Sequence, residues 1–132
     1  MSLPVYGLTP QEQHYILTHP HHAFAIKSSK DKAFEETKKR FGFNGRNDRS
    51  DAFRHCFWSA VLVGEIGYLD ALQFTTAHES SPLNSKDEKD MDLHNNAAGL
   101  LIGRTGGSQS DEALSQRCMA ALLSGQLKVL GQ

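Results

Sequence analysis

Three short stretches concentrate the side chains that can do chemistry. N-D-R-S-D-A-F-R-H-C-F-W at 47–58 holds Asp51, Arg54, His55 and the only tryptophan, Trp58. A-H-E at 77–79 holds His78 and Glu79, and M-D-L-H-N-N at 91–96 holds Asp92, His94, Asn95 and Asn96. On a helix turning about 100° per residue, Asp51, His55 and Trp58 share one stripe, with Arg54 on its edge. A carboxylate one turn before an imidazole orients the ring and raises its basicity, which suits a general base or a metal ligand equally well. The same spacing suits a plainer arrangement, in which Asp51 caps the helix and His55 is a hydrogen-bonded core histidine beneath Trp58.

The second stretch places Thr75, His78 and Glu79 on one face at the C-terminal end of a helix. The helix dipole favours a cation there, and a His-Glu pair can bind metal or shuttle a proton. The alternative pairs Glu79 with a nearby Arg or Lys and leaves His78 to cap the last carbonyls. Helical phase splits the third stretch. Asp92, Asn95 and Asn96 fall on one side with Glu88 and Gly99, while His94 points away beside Met91, Ala98 and Leu101. Asp92 and Asn96 are therefore expected to face the site, Asn95 to lie beside them, and His94 to stand behind the ligands. Gly99 and Gly103, four apart, would let another helix approach closely on that side.

These residues need helices to hold them, and the sequence supplies the signals. Thr9-Pro10-Gln11-Glu12 opens a short helix that stops near His19-Pro20. A second runs toward Phe41-Gly42 with Ile26, Ala33, Phe34, Thr37 and Phe41 on one stripe. A third opens at Asp48 or Ser50 and ends at Gly67, with Phe53, Cys56, Phe57, Ala60, Val61 and Gly64 as its apolar side. A fourth runs from Tyr68 to about Glu79, with Leu72 and Phe74 apolar. Ser85-Lys86-Asp87-Glu88 caps a fifth, which continues to about Arg104. A sixth starts at 108–110, carries Leu114, Cys118, Ala121 and Leu122, and stops at Gly125. Residues 103–107 read as a Gly-rich linker, and 126–130 as a short extended tail. No stretch alternates with period two, so the expected fold is all-α, one compact domain of five to six helices over 1–132. Residues 1–8 form a lead-in, and 47–130 form the core that carries the motifs.

Bulk properties narrow the partners. Fourteen Lys and Arg against fifteen Asp and Glu leave a formal charge of −1, which argues against a surface built to coat nucleic acid or anionic lipid. Cys56 and Cys118, the only cysteines, lack metal-type spacing and read as buried thiols. Nothing resembles a membrane span or a signal peptide, so the expected setting is soluble, either cytoplasmic or secreted without a cleaved signal. His14 and the cluster His19, His21 and His22 read as solvated surface. The familiar zinc-protease, nucleophile-elbow, phosphate-loop and C-x-x-C signatures are missing.

Taken together, N-D-x-x-D-A-F-R-H-x-x-W, A-H-E and M-D-L-H-N-N-x-x-G resemble an uncharacterised bacterial all-α domain family. That family also occurs at the C-termini of polymorphic or secreted toxins. The resemblance implies a bacterial origin, an effector role and, for a toxin, an immunity protein as partner. The order His55, then His78-Glu79, then Asp92 is also similar to all-α metal phosphohydrolases, with Glu79 standing where those carry Asp. The expected function is a metal-dependent hydrolase acting on a phosphoester or cell-envelope substrate. His55, His78, Glu79 and Asp92 would hold zinc, manganese or iron. Asp51, Arg54, His55 and Glu79 would serve catalysis, and Trp58, Asn95 and Asn96 would contact substrate. The rival is a non-enzymatic interaction domain, whose polar residues form a network that fixes how three helices pack.

Overall fold

The computed structural model describes residues 8–105 and 109–131, and helices are the only regular elements among them. They are α1 (Pro10–Thr18), a 3-10 turn (Pro20–His22), α2 (Ala23–Phe41), α3 (Arg49–Ile66), α4 (Tyr68–His78), α5 (Lys86–Arg104) and α6 (Asp111–Leu123). The all-α expectation is met, and the helix limits agree with the cap signals. Thr9 with Glu12 and Ser85 with Glu88 both close capping boxes. Asp48 caps α3 by accepting from Asp51 N–H, and Gly42 ends α2 in the left-handed region at φ 84°. The lead-in at 1–7 and the Gly106-Gly107-Ser108 part of the expected linker and helix start lie outside the described residues.

Helix α3 is the axle, and α2, α4, α5 and α6 all pack on it. Its residues Ala52, Phe53, Cys56, Phe57, Trp58, Ala60, Val61 and Leu62 are all buried. A helix surrounded on every side must be apolar nearly all round, so no single apolar stripe marks its inward face. The polar groups on its buried turns, such as Asp51 and Ser59, are inside the protein and need partners. The close approach expected at the glycines of α5 is present: a Cβ at Gly99 would overlap the carbonyl oxygen of Cys56, and one at Gly103 would stand 2.6 Å from that of Ala60. This brings the N-terminal half of α5 against the polar side of α3.

The expected stripe of α2 needs one correction. Its buried positions are Ile26, Ser29, Ala33 and Thr37, whereas Phe34 is half exposed. Trp58 explains the inclusion of a serine, because its indole Nε1 donates to Ser29 Oγ at 3.1 Å. Phe34 turns outward beneath Arg54, whose guanidinium carbon lies 5.1 Å from the ring centroid. On the opposite side of α3, Cys56 meets Cys118 of α6, and both are fully buried.

Candidate metal centre

His55 projects from the second turn of α3 into the space between α4 and α5. Its Nδ1 lies 2.9 Å from Asp51 Oδ1 and 3.1 Å from the Asp51 carbonyl. Both of those oxygens are acceptors, so Nδ1 carries the proton and Nε2 is the nitrogen turned to the centre. Asp51 is held in turn by Arg54 at 2.7 Å and by the Asn47 N–H at 2.7 Å. Asn47 has a left-handed backbone, φ 63°, within the 42–48 connection that leads into α3.

His78 repeats the arrangement from another direction. At the last turn of α4 its Nδ1 meets Glu12 Oε2 at 2.8 Å, which leaves its Nε2 free as well. Glu12 is wholly buried and also accepts from Thr9 N–H at 2.8 Å, with Lys30 Nζ 3.5 Å away. Burial alone would push its pKa up, but the His78 hydrogen bond and charge, with Lys30, outweigh it and hold the carboxyl below its ordinary value. The edge of the Trp58 ring system packs against His78, with centroids 5.1 Å apart.

Two carboxylates close the centre. His55 Nε2 lies 3.7 Å from Glu79 Oε2 and 3.6 Å from Asp92 Oδ1. These separations exceed a hydrogen bond. They match the spacing of neighbouring ligands around one ion, because atoms about 2.0–2.2 Å from a tetrahedral zinc stand about 3.3–3.6 Å from each other. Single donor atoms of His55, His78 and Glu79 lie within 4.8 Å of one another, as do those of Asp51, His55 and Asp92. Glu79 Oε1 and Asp92 Oδ1 are buried and have no hydrogen-bond partner. Native proteins seldom leave such atoms unsatisfied, and a cation satisfies both without donating a proton. Glu79 is steadied by Asn96 Nδ2 at 3.1 Å, and Asn96 accepts from Ser59 Oγ at 3.3 Å.

The electrostatics agree with that donor set. Burial draws the His55 imidazole down, but the Asp51 hydrogen bond and the charges of Asp92, Asp51 and Glu79 reverse this and carry it to about 9. Burial pushes Asp92 up, and although His55 opposes the change, Glu79 and Asp51 help take it to about 7. Without an ion, then, the centre takes up protons to offset crowded carboxylates. A protonated His55 is the wrong form for abstracting a proton from water at neutral pH, which counts against His55 as a general base without an ion.

The pocket beside the centre has a volume of about 270 Å³ and is lined by Lys30, Ala33, Phe34, Arg54, His55, Trp58 and His78. Arg54 borders it while also bonding Asp51, the Gly45 carbonyl at 2.9 Å and Asn44 Oδ1 at 3.2 Å.

The expected residues divide cleanly. Asp51, Arg54, His55, Trp58, His78, Glu79, Asp92 and Asn96 are brought together. Asn95 is not beside Asp92 in the site: its side chain pairs with the backbone of Lys128, donating at 2.9 Å and accepting at 2.8 Å. His94 does not stand behind the ligands either. It is exposed, and its Nε2 lies 2.8 Å from the Gln126 carbonyl. Both hold the C-terminal tail because α5 meets that tail along the face next to the centre. Glu12, Ser29 and Lys30 escaped the sequence reading. Glu12 carried a signal, but its capping role alone was enough to account for it.

Fold and site together define a small all-α domain with a buried histidine-carboxylate centre, built around one central helix. The chain belongs to the family described as a domain of unknown function, DUF6973, whose model matches residues 13–126. No curated protein and no solved structure matches it significantly.

Proposed function

We propose that this domain is a metal-dependent hydrolase of phosphoesters, with His55, His78, Glu79 and Asp92 as the ligands of a divalent ion. The observation that carries the reading is that two buried oxygens of this cluster, Glu79 Oε1 and Asp92 Oδ1, have no hydrogen-bond partner, while Asp92 Oδ1 and the other Glu79 oxygen, Oε2, lie 3.6 and 3.7 Å from His55 Nε2. Asp51, Glu79 and Asp92 bring three formal negative charges and Arg54 one positive, so a divalent ion neutralises the cluster while both histidines stay neutral. Mixed nitrogen and oxygen donors suit zinc, manganese or iron. A divalent ion held there supplies Lewis acidity and a nucleophilic water near neutral pH.

The protein's own groups supply the rest. Asp51 and Glu12 fix the tautomer and direction of the two imidazoles, as carboxylates behind metal-bound histidines do. Asn96 keeps Glu79 turned inward. Arg54 and Lys30 at the pocket wall offer positive charge to an anionic oxygen, and Trp58 and Phe34 offer an apolar wall to the group it is esterified to. A cell-envelope phosphoester, reached by a bacterial effector with its own immunity partner, is the setting that the sequence motifs favour.

The competing reading is a structural network, and the complete pairing of Asp51 with His55, Arg54 and Asn47 favours it. It requires Asp92 and His55 to stay protonated in place of an ion. Elemental analysis of the purified chain, paired with hydrolysis of bis(p-nitrophenyl) phosphate, separates the two. About one divalent ion per chain is expected, lost together with activity in His55→Ala and Asp92→Ala. A folded wild type that takes up no zinc, manganese or iron ends the metal reading. A metal-loaded protein that cleaves no phosphoester ends only the choice of substrate.

A further inference from the structure

We propose that Cys56 and Cys118 form an intramolecular disulfide that staples α3 to α6. Their sulfurs are 2.9 Å apart. Non-bonded carbons rest about 3.5–4.0 Å from each other, and sulfur is the larger atom, so two thiols overlap at this separation. Closing the bond to about 2.05 Å relieves the overlap. Gly99 of α5 is seated directly on the Cys56 carbonyl, with no room between them for even a methyl group, so the backbone that carries Cys56 is held closely in place. Both cysteines are fully buried in the hydrophobic core. This inference does not depend on the proposed hydrolase.

Closure proceeds by two exchanges with a small-molecule disulfide such as oxidised glutathione. One cysteine thiolate attacks a glutathione sulfur, forming a mixed disulfide and expelling one glutathione thiolate. The second cysteine thiolate then attacks the protein-side sulfur, forming the Cys56–Cys118 bond and expelling the other. Two protein thiols are oxidised, one glutathione disulfide is reduced, and the two protons pass to solvent or to the departing thiolates. In the packed protein the Cys56 sulfur and burial raise the Cys118 thiol above its ordinary range, so exchange belongs to the folding chain, before α6 docks. Once buried, the bond is out of reach of reductants until the protein opens. The cysteines are 62 positions apart, a span over which a cross-link removes much of the freedom of the unfolded chain. Such a bond persists where folding takes place in an oxidising compartment.

The test refolds the full reduced chain from denaturant in a mixture of oxidised and reduced glutathione. Refolding is followed by denaturation with N-ethylmaleimide and intact-mass measurement. The expected product is a monomer lighter by two hydrogen atoms that takes no label, and takes two labels after reduction in denaturant. Its Tm should exceed that of the reduced chain by roughly 10 °C. The native oxidised form should resist dithiothreitol until denaturant is added. Cys118→Ala should leave one labelled thiol and a Tm insensitive to reductant. Two labelled thiols in the refolded wild type overturn the proposal, as does a glutathione adduct or a cross-linked dimer as the main product. The wild-type measurement decides the matter even if the variant fails to fold.

Discussion

The Asp51–His55 pair closes within one turn of α3, whereas the Glu12–His78 pair joins α1 to α4 across 66 positions of sequence. Each sets a carboxylate on Nδ1 and frees Nε2 for the same centre, but they form at different stages and fail differently. The local pair comes into register as soon as α3 is helical, and packing only has to desolvate it. The distant pair exists only once α1 has docked, so its geometry also reports whether that docking is intact. Their surroundings differ too. Asp51 has a guanidinium 2.7 Å away that is itself mostly buried, while Glu12 has a more exposed ammonium at 3.5 Å. In both pairs the histidine hydrogen bond does most to hold the carboxylate charged, and Asp51 has the closer and more buried cation beside it.

Breaking the local pair should cost most. Asp51→Ala leaves Arg54 and His55 without their buried partner and is expected to lose about 3–5 kcal/mol in urea unfolding. Zinc affinity should fall by about 10–100-fold. Equal losses in Asp51→Ala and Glu12→Gln would contradict the difference in anchoring. For Glu12→Gln the expected loss is about 1–3 kcal/mol. Metal affinity should fall alongside, and amide exchange in α1 should quicken, while α3 keeps its protection.

Titration sharpens the same contrast. His55 is raised from 6.5 to about 9 in the folded protein. Its contribution is fully present below pH 6.5 and is lost as pH rises through about 9. Asp92, raised from 3.8 to about 7, acts with the same sign, because the proton it holds when folded leaves as pH climbs. The metal-free protein should thus lose the Asp92 part between pH 3.8 and about 7 and the His55 part, on the order of a few kcal/mol, between pH 6.5 and about 9. Added zinc should reverse the loss, and a Tm that does not fall across that range would contradict the charge account. Glu12 and Asp51 act with the opposite sign. Their carboxyls are held low, so their contributions disappear as pH falls through their folded values.

Asp92→Asn removes a buried charge whose Oδ1 has no partner. It should raise the Tm of the metal-free protein by a few degrees, or about 1 kcal/mol, while abolishing metal retention. A fall in Tm would mean that the attraction of Asp92 for protonated His55 outweighs the cost of burying its charge. Smallest of all, His94→Ala releases one exposed contact to the tail. It should cost less than about 1 kcal/mol and leave metal content unchanged.

How much was legible in advance follows from the same two pairs. Asp51 and His55 could be matched because positions four apart on a helix always share a face. Glu12 could not be matched to His78, because nothing in a chain states which helices will later touch. The capping box at Thr9 gave Glu12 a sufficient local purpose, although its carboxylate serves the cap and His78 together. Phase alone assigned Asn95 to the side of Asp92, and phase was correct. The error lay in what covers that side, which is partly the centre and partly the C-terminal tail around Lys128.

The sequence by itself determined an all-α fold of five to six helices, the two capping boxes, the shared face of Asp51 and His55 and the small-residue face of α5. All of these follow from periodicity and hydrogen bonding over a few residues. Only the tertiary structure decided that Glu79 and Asp92 would converge on His55 Nε2, that Glu12 would back His78, and that Cys56 would meet Cys118. Those contacts depend on how helices cross, and a crossing is set by the summed packing of whole faces around α3 rather than by any one motif.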